Sequence, residues 1–164
     1  MILVMTGMEK YPFDRLIKII DKNVINGSIN DNVVAIIGNS SYKPFCIECR
    51  KFLDYSELLQ YINKANIIIT HAGSGSVLLC LNNSKIPIVF PRHRELGEHI
   101  DNHQVEFSEI LKREERTLVA YNEEELIYNL DHYFELIKKI KKQSKIISNI
   151  DNLINYLEAI TIDK

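Results

Sequence analysis

Short apolar runs alternate along this chain with stretches whose apolar residues recur every three or four positions. Met1 to Met5, Val33 to Ile37, Phe45 to Cys49, Asn66 to Thr70, Ile86 to Phe90 and Arg116 to Ala120 form the runs. The richest of them are β-branched with little polar alternation, the pattern of parallel strands covered on both faces. Pro87 falls at the start of its run, where a missing N–H does little harm. Helical faces come between the strands. Phe13, Leu16, Ile17 and Ile20 follow Pro12, which suits a helix's first turn, and Leu58, Leu59 and Ile62 follow a cap at Asp54 or Ser56. Asn122 caps a last helix, with Glu123 to Glu125 in its first turn and Leu126, Ile127, Leu130, Tyr133, Phe134 and Ile137 on one face. Segments rich in Gly, Asn and Ser, at 26–32 and 38–41, separate the elements. The alternation predicts an α/β, Rossmann-like, doubly wound parallel sheet with helices on both faces.

The chain's central stretch runs Ile67-Ile68-Ile69-Thr70-His71-Ala72-Gly73-Ser74-Gly75-Ser76-Val77-Leu78-Leu79. It reads as strand, small-residue turn and helix, and such a turn can hold an anion. Gly73 and Gly75 admit close backbone approach, Ser74 and Ser76 can donate hydrogen bonds, and the new helix's unpaired N–H groups point at the ligand. The alternative is that small residues merely let the helix pack tightly on the sheet. Thr6-Gly7 follows the first strand and so belongs on the same carboxyl edge, where open parallel sheets bind ligands.

The segment from Pro91 to Gln104 is too polar for a core element and follows a strand's carboxyl end, which puts it on that rim as well. Asp101 or Asn102 can cap a helix running through Leu111. His99 and His103 are four apart, the spacing of a metal pair on a helix, but the cap falls between them and spacing places no third ligand. The expectation is therefore no metal and no cofactor, with Asn102, His103 and Gln104 meeting the hydroxyls of a polar ligand.

Composition narrows the classes. With 164 residues, 46% hydrophobic and 26% charged, and a net charge of −2, the chain has the size of one domain and no electrostatic footprint for nucleic acid. No apolar run approaches the roughly 20 residues that span a bilayer, and the amino end lacks the pattern of a signal peptide, so a cytoplasmic location is expected. Cys46, Cys49 and Cys80 are an odd count that suggests no disulfide framework. Cys46 and Cys49 have redox or zinc-pair spacing without a second pair, and Cys80 reads as core. Lys138, Lys139, Lys141, Lys142 and Lys145 suit a helix's carboxyl end better than a lipid surface. Ile146, Ile147, Ile150, Leu153, Ile154, Leu157 and Ile160 then recur at helical spacing, so residues 1–140 are read as the domain and 141–164 as an amphipathic helix.

Three ordered pieces carry a family resemblance: Thr6-Gly7 with Pro12-Phe13-Asp14-Arg15-Leu16-Ile17, then His71-Ala72-Gly73-Ser74-Gly75-Ser76, then Pro91-Arg92 with Gly97-Glu98-His99-Ile100-Asp101-Asn102-His103-Gln104. Over about its first 110 residues the chain resembles the small subunits of two-component glycosyltransferases. These are the PssE-type exopolysaccharide and capsule proteins and the catalytic subunit of the dolichol-linked GlcNAc transferase, themselves similar to the carboxyl-terminal half of GT-B enzymes. The resemblance implies that His71 and the backbone of Gly73, Ser74, Gly75 and Ser76 hold a nucleotide diphosphate, that Asn102, His103 and Gln104 meet the sugar, and that Thr6, Gly7 and His99 belong to the same donor-binding site.

It implies, further, the donor-binding subunit of an inverting transferase that moves sugar from a UDP-sugar to a lipid-linked acceptor. A membrane-anchored partner subunit would supply the acceptor half and the general base and recruit the chain to the inner face of a membrane. The tail's apolar stripe would then be covered by the partner or lead to self-association in isolation. Two positions depart from the pattern. Leu79 stands where many GT-B domains carry a ribose-binding glutamate, and Met8 stands where relatives carry a small polar residue. Leu79 motivates the alternative of a non-catalytic stabilising or activating subunit.

Overall fold

A computed structural model describes residues 1–143. Six parallel strands, β1 (Ile2–Met5), β2 (Val33–Ile36), β3 (Glu48–Arg50), β4 (Ile67–Thr70), β5 (Ile88–Val89) and β6 (Leu118–Val119), lie in the order β3-β2-β1-β4-β5-β6. The expected doubly wound sheet is what forms. From β1 the chain steps outward through β2 to β3, returns to place β4 on the other side of β1, and steps outward again. Register pairs Ile2 with both Val33 and Ile67, and Met5 with both Ile36 and Thr70. The strand order reverses between β1 and β4, and a crevice therefore opens beyond their carboxyl ends.

The period of two along each strand divides the core. Ile2, Val4, Val33, Ala35, Ile67 and Ile69 face one way, and α1 (Asp14–Ile25), α5 (Glu123–Asp131) and α6 (Tyr133–Gln143) cover them through Leu16, Ile17, Ile20, Leu126 and Tyr133. Leu3, Met5 and Ile68 face the other way, under Ile62 of α2 (Tyr55–Lys64) and Cys80 of α3 (Ser74–Asn82). Val77 of α3 and Phe107 and Leu111 of α4 (His103–Arg113) cover the β5–β6 end of that face. Burial pushes the Cys80 thiol up to about 12, in keeping with a core side chain.

Three local expectations are corrected. The third strand is Glu48–Arg50, later than Phe45 to Cys49. The N–H groups of Phe45 and Cys46 donate instead to the buried carboxylate of Asp21 in α1, and Phe45 is exposed. Pro12 precedes the helix, which starts at Asp14 behind Phe13. The last predicted helix is two: His132 ends α5, and its carbonyl accepts from Glu135 and Leu136 to start α6. The break turns Tyr133 inward, where its hydroxyl donates to the Ile86 carbonyl at 2.6 Å. Asp54 caps α2 in a capping box with Glu57, and Asn122 caps α5. The apolar stripe from Ile146 to Ile160 and the remainder of the predicted terminal helix lie outside the described residues.

Candidate functional site

The crevice at the switch point is a cleft of about 580 Å³. Its floor is built by the turns after β1 and β4. Gly7 has φ +84°, a left-handed conformation that bends the chain sharply away from β1. Gly73 precedes α3 in an extended conformation and has no side chain to cap the helix, so the leading N–H groups of Ser74, Gly75 and Ser76 are left to whatever occupies the cleft. Val77, the next residue, is the first to bond back, at 3.0 Å to the Gly73 carbonyl.

His71 lies between the two turns. Its backbone N–H donates to the Met5 carbonyl at 3.1 Å, and its ring is wedged between Gly7 and Gly73. A Cβ on Gly7 would stand 2.6 Å from His71 Cε1, and one on Gly73 would stand 2.9 Å from the same atom. Both glycines are therefore required by the ring. Burial, with the Arg92 guanidinium nearby, lowers the His71 pKa to about 4, so the ring is neutral at physiological pH. The Thr70 hydroxyl is 3.4 Å from Nδ1. If Thr70 donates there, Nε2 carries the proton and is a donor to an anion.

Arg92 ties the walls of the cleft together. It is 1% exposed, the largest of the fully buried side chains. Its guanidinium donates to the carbonyls of Thr6 at 2.6 Å, Tyr11 at 2.7 Å and Glu98 at 2.9 Å. The first two bracket the turn after β1, and the third leads into His99. Arg15 fixes the same wall with a bidentate pair to the Glu98 carboxylate, at 2.8 and 2.9 Å, and a bond to the Pro91 carbonyl.

Of the residues anticipated at the site, Gly7, His71, Gly73, Ser74, Gly75, Ser76, His99, His103 and Gln104 line the cleft. Thr6 and Asn102 do not. Thr6 is fully buried and its hydroxyl donates to the Ile36 carbonyl, so it shapes the turn from beneath. Asn102 turns away: its Oδ1 accepts from the Arg94 N–H and its Nδ2 donates to Glu95. Gln104 is 2% exposed and accepts from the Arg92 N–H at 3.3 Å. Leu79 is partly buried against the α2-side cluster of Leu3, Met5 and Ile62 and does not line the cleft.

The cleft has a second character that the motifs do not announce. Phe52, Leu53, Leu58, Ile36 and Met5 make an apolar wall, and Met8, Tyr11 and Ile100 border it. Glu9 and Lys10 also line the cleft, unannounced by the motifs, and a further polar feature missed, beside the lining His99 and His103, is Asp101. Its Oδ1 is 3.1 Å from His99 Nδ1 and is also hydrogen-bonded to His103 Nδ1, so two imidazoles meet on one carboxylate oxygen. The His99 and His103 rings sit edge to face with centroids 4.6 Å apart. Among the described residues no helix is long and apolar enough to cross a membrane.

The family described as Glycosyltransferase family 28 C-terminal domain matches residues 1–155. The UDP-N-acetylglucosamine transferase subunit ALG13 of Candida albicans (strain SC5314 / ATCC MYA-2876) is 30% identical over 103 residues, covering 62% of this chain and 32% of that protein. The subunit of the same name from Yarrowia lipolytica (strain CLIB 122 / E 150) is 38% identical over 64 residues, covering 39% of this chain and 31% of that protein. The matches thus span about a third of these curated relatives. Among solved structures, Spinosyn Forosaminyltransferase SpnP superposes with a TM-score of 0.56 at 12% identity, over 96% of this chain and 43% of that one, a likeness of fold.

Proposed function

The chain belongs to the glycosyltransferase family 28 C-terminal domain family, and on that premise we propose that it supplies the donor-binding lobe of a two-component inverting glycosyltransferase. The reaction would move a sugar from a UDP-sugar to a lipid-linked acceptor. The observation that carries this reading is the uncapped amino end of α3 meeting the Gly7 turn at the switch point, with the neutral His71 ring between them. When the sugar leaves, charge accumulates on the diphosphate. Helix N–H groups and the helix dipole stabilise it with no proton transfer and no reorganisation. The wall of Phe52, Leu53 and Leu58 offers an apolar seat for a pyrimidine base.

The names of the curated relatives make UDP-N-acetylglucosamine the first donor to test. An acceptor hydroxyl needs a general base. His71 is buried in the turn, and His99 and His103 line the donor side of the cleft, away from the lobe that holds the acceptor in the related two-lobed enzymes. The base is therefore assigned to a membrane-anchored partner subunit that supplies the acceptor half and draws this lobe from the cytoplasm to the membrane's inner face. The resemblance to PssE-type proteins favours exopolysaccharide or capsule assembly as the setting.

Calorimetry of UDP into the pair of subunits tests the reading. Gly75→Asp sets a carboxylate at the uncapped helix end, at a position with nothing within 4 Å of a Cβ, so the fold tolerates it. UDP should bind the pair and fail to bind that variant; no binding to the pair, or unchanged binding to Gly75→Asp, overturns it.

A second reading, a stabilising or activating subunit without donor binding, rests on the sequence departure at Leu79, an aliphatic residue where many GT-B domains carry a ribose-binding glutamate, which here is partly buried against the α2-side cluster. Transfer by the partner alone at the full rate of the pair would establish it.

A further inference from the structure

We propose that His99, Asp101 and His103 form a binding site for one divalent transition-metal ion of the zinc class. One donor atom from each residue lies within 4.8 Å of the others. Such an arrangement does not arise from helical spacing: His99 precedes the helix, Asn102 occupies the cap position, and His103 opens α4. The intervening backbone carries Asp101 between the two rings. The 3.1 Å between His99 Nδ1 and Asp101 Oδ1 matches two ligands on one ion, about 3.0–3.4 Å apart when each metal bond is about 2.1 Å long, and the exposed His103 ring, hydrogen-bonded more closely to the same oxygen, has to draw back to take its place on the ion.

The donor set selects the metal. Two imidazoles with one carboxylate suit zinc, cobalt, iron or manganese, whereas magnesium and calcium prefer all-oxygen sites. Binding requires no net proton release from neutral rings. In each neutral ring the proton resides on Nε2 once the Nδ1 lone pair goes to the metal. His99 is buried, with its ring 5.8 Å from that of Tyr11, which limits its freedom before any ion arrives. Asp101 and His103 are partly open to solvent, leaving a path for the ion. Three protein ligands leave at least one coordination position free, as in open zinc sites. His99 and His103 line the same cleft as the Gly73–Ser76 turn, so that position is available to water or to an oxygen of the cleft's ligand. The site does not depend on the nucleotide reading, because all three ligands come from this chain alone.

The test uses the chelator-treated full chain without nucleotide. Zinc titration by calorimetry should give one ion per chain, and cobalt substitution should give visible d–d absorption. Asp101→Asn and His103→Ala, both at partly exposed positions, should each weaken zinc binding on the order of 100-fold and abolish the cobalt spectrum. His93→Ala, outside the cluster, should leave both unchanged. Circular dichroism matching the parent keeps a folding defect from being read as lost binding. Failure to bind one equivalent of zinc or cobalt, or binding and spectrum retained in the Asp101→Asn, His103→Ala double variant, overturns the site and leaves a hydrogen-bonded cluster only.

Discussion

The His71 ring fills the space that a side chain on Gly7 would occupy. A Cβ there would stand 2.6 Å from His71 Cε1, well inside contact distance, and Gly7 holds φ at +84° besides. The first turn of the site can therefore exist only because residue 7 has no side chain, and the second turn, at Gly73, meets the same ring from the other side.

Gly7→Ala should destabilise the fold by about 2–4 kcal/mol, the sum of left-handed strain and overpacking against the ring. Gly73→Ala lacks the positive φ and should cost less, about 1–3 kcal/mol, by overpacking alone. Gly75→Ala is the internal control: nothing lies within 4 Å of a Cβ at this helical position, so it should be neutral or stabilising by up to about 1 kcal/mol. Urea denaturation of the three variants checks the order, and equal losses would refute the wedge.

Stability should fall with acid in a window set by His71. Its pKa is about 4 in the fold against 6.5 for the free group. Between those values the unfolded chain binds a proton that the folded chain refuses. The contribution is thus intact above pH 6.5 and is lost progressively down to about pH 4, a change of about 3 kcal/mol. His71→Gln, which cannot titrate, should flatten this part of the profile. Asp14 and Asp21 act at lower pH. Burial raises both carboxyls, but hydrogen bonds outweigh it: the Ser41 hydroxyl and the Tyr42 and Ser41 N–H groups at Asp14, and the Cys46 and Phe45 N–H groups and the Tyr42 hydroxyl at Asp21. Their net depressed pKa values add stability that is present above the ordinary carboxylate value of 3.8 and lost as pH falls below it. Denaturation midpoints of parent and His71→Gln, followed from pH 7 down through the carboxylate range, separate the two windows: the two proteins differ above about pH 4 and run parallel below it.

Arg92→Met removes the donor shared by the Thr6, Tyr11 and Glu98 carbonyls while keeping much of the aliphatic bulk. Leaving buried carbonyls unpaired should cost on the order of 3–5 kcal/mol. The same loss should raise the His71 pKa, because the Arg92 charge helps keep that ring neutral. Histidine NMR titration in Arg92→Lys, which keeps the charge but not the fork, distinguishes the electrostatic part from the geometric one. An unchanged His71 pKa in Arg92→Met would remove the coupling.

What was legible in the chain follows from the range of the interactions involved. The runs at Ile2–Met5, Val33–Ile36 and Ile67–Thr70 have no polar alternation, so their burial in the middle of a parallel sheet was written in local pattern. Gly73 to Ser76 after such a run has few uses besides close approach. The third strand's boundary is not a local matter: it depends on Asp21, a residue of α1 that takes the N–H groups of Phe45 and Cys46. Asn102 has the chemistry of a sugar ligand, but its amide is spent on Arg94 and Glu95. The role of Asp101 has no signature in helical spacing, because His99 lies before the helix starts and the intervening loop sets the contact.

Phe52 offers the sharpest check on how the cleft would take a nucleotide. It is 46% exposed, so its removal should leave stability nearly untouched. If the apolar wall seats a base, Phe52→Ala should weaken UDP binding by about 1 kcal/mol, roughly fivefold, the loss expected for one aromatic packing contact. Inorganic pyrophosphate, which would use only the α3 amino end and the turns around His71, should bind parent and variant alike. Calorimetry with both ligands on the assembled pair reads the difference directly. Equal losses for UDP and pyrophosphate would mean that Phe52 acts through the turns rather than on the base, and an unchanged UDP affinity would move the base to another wall of the cleft.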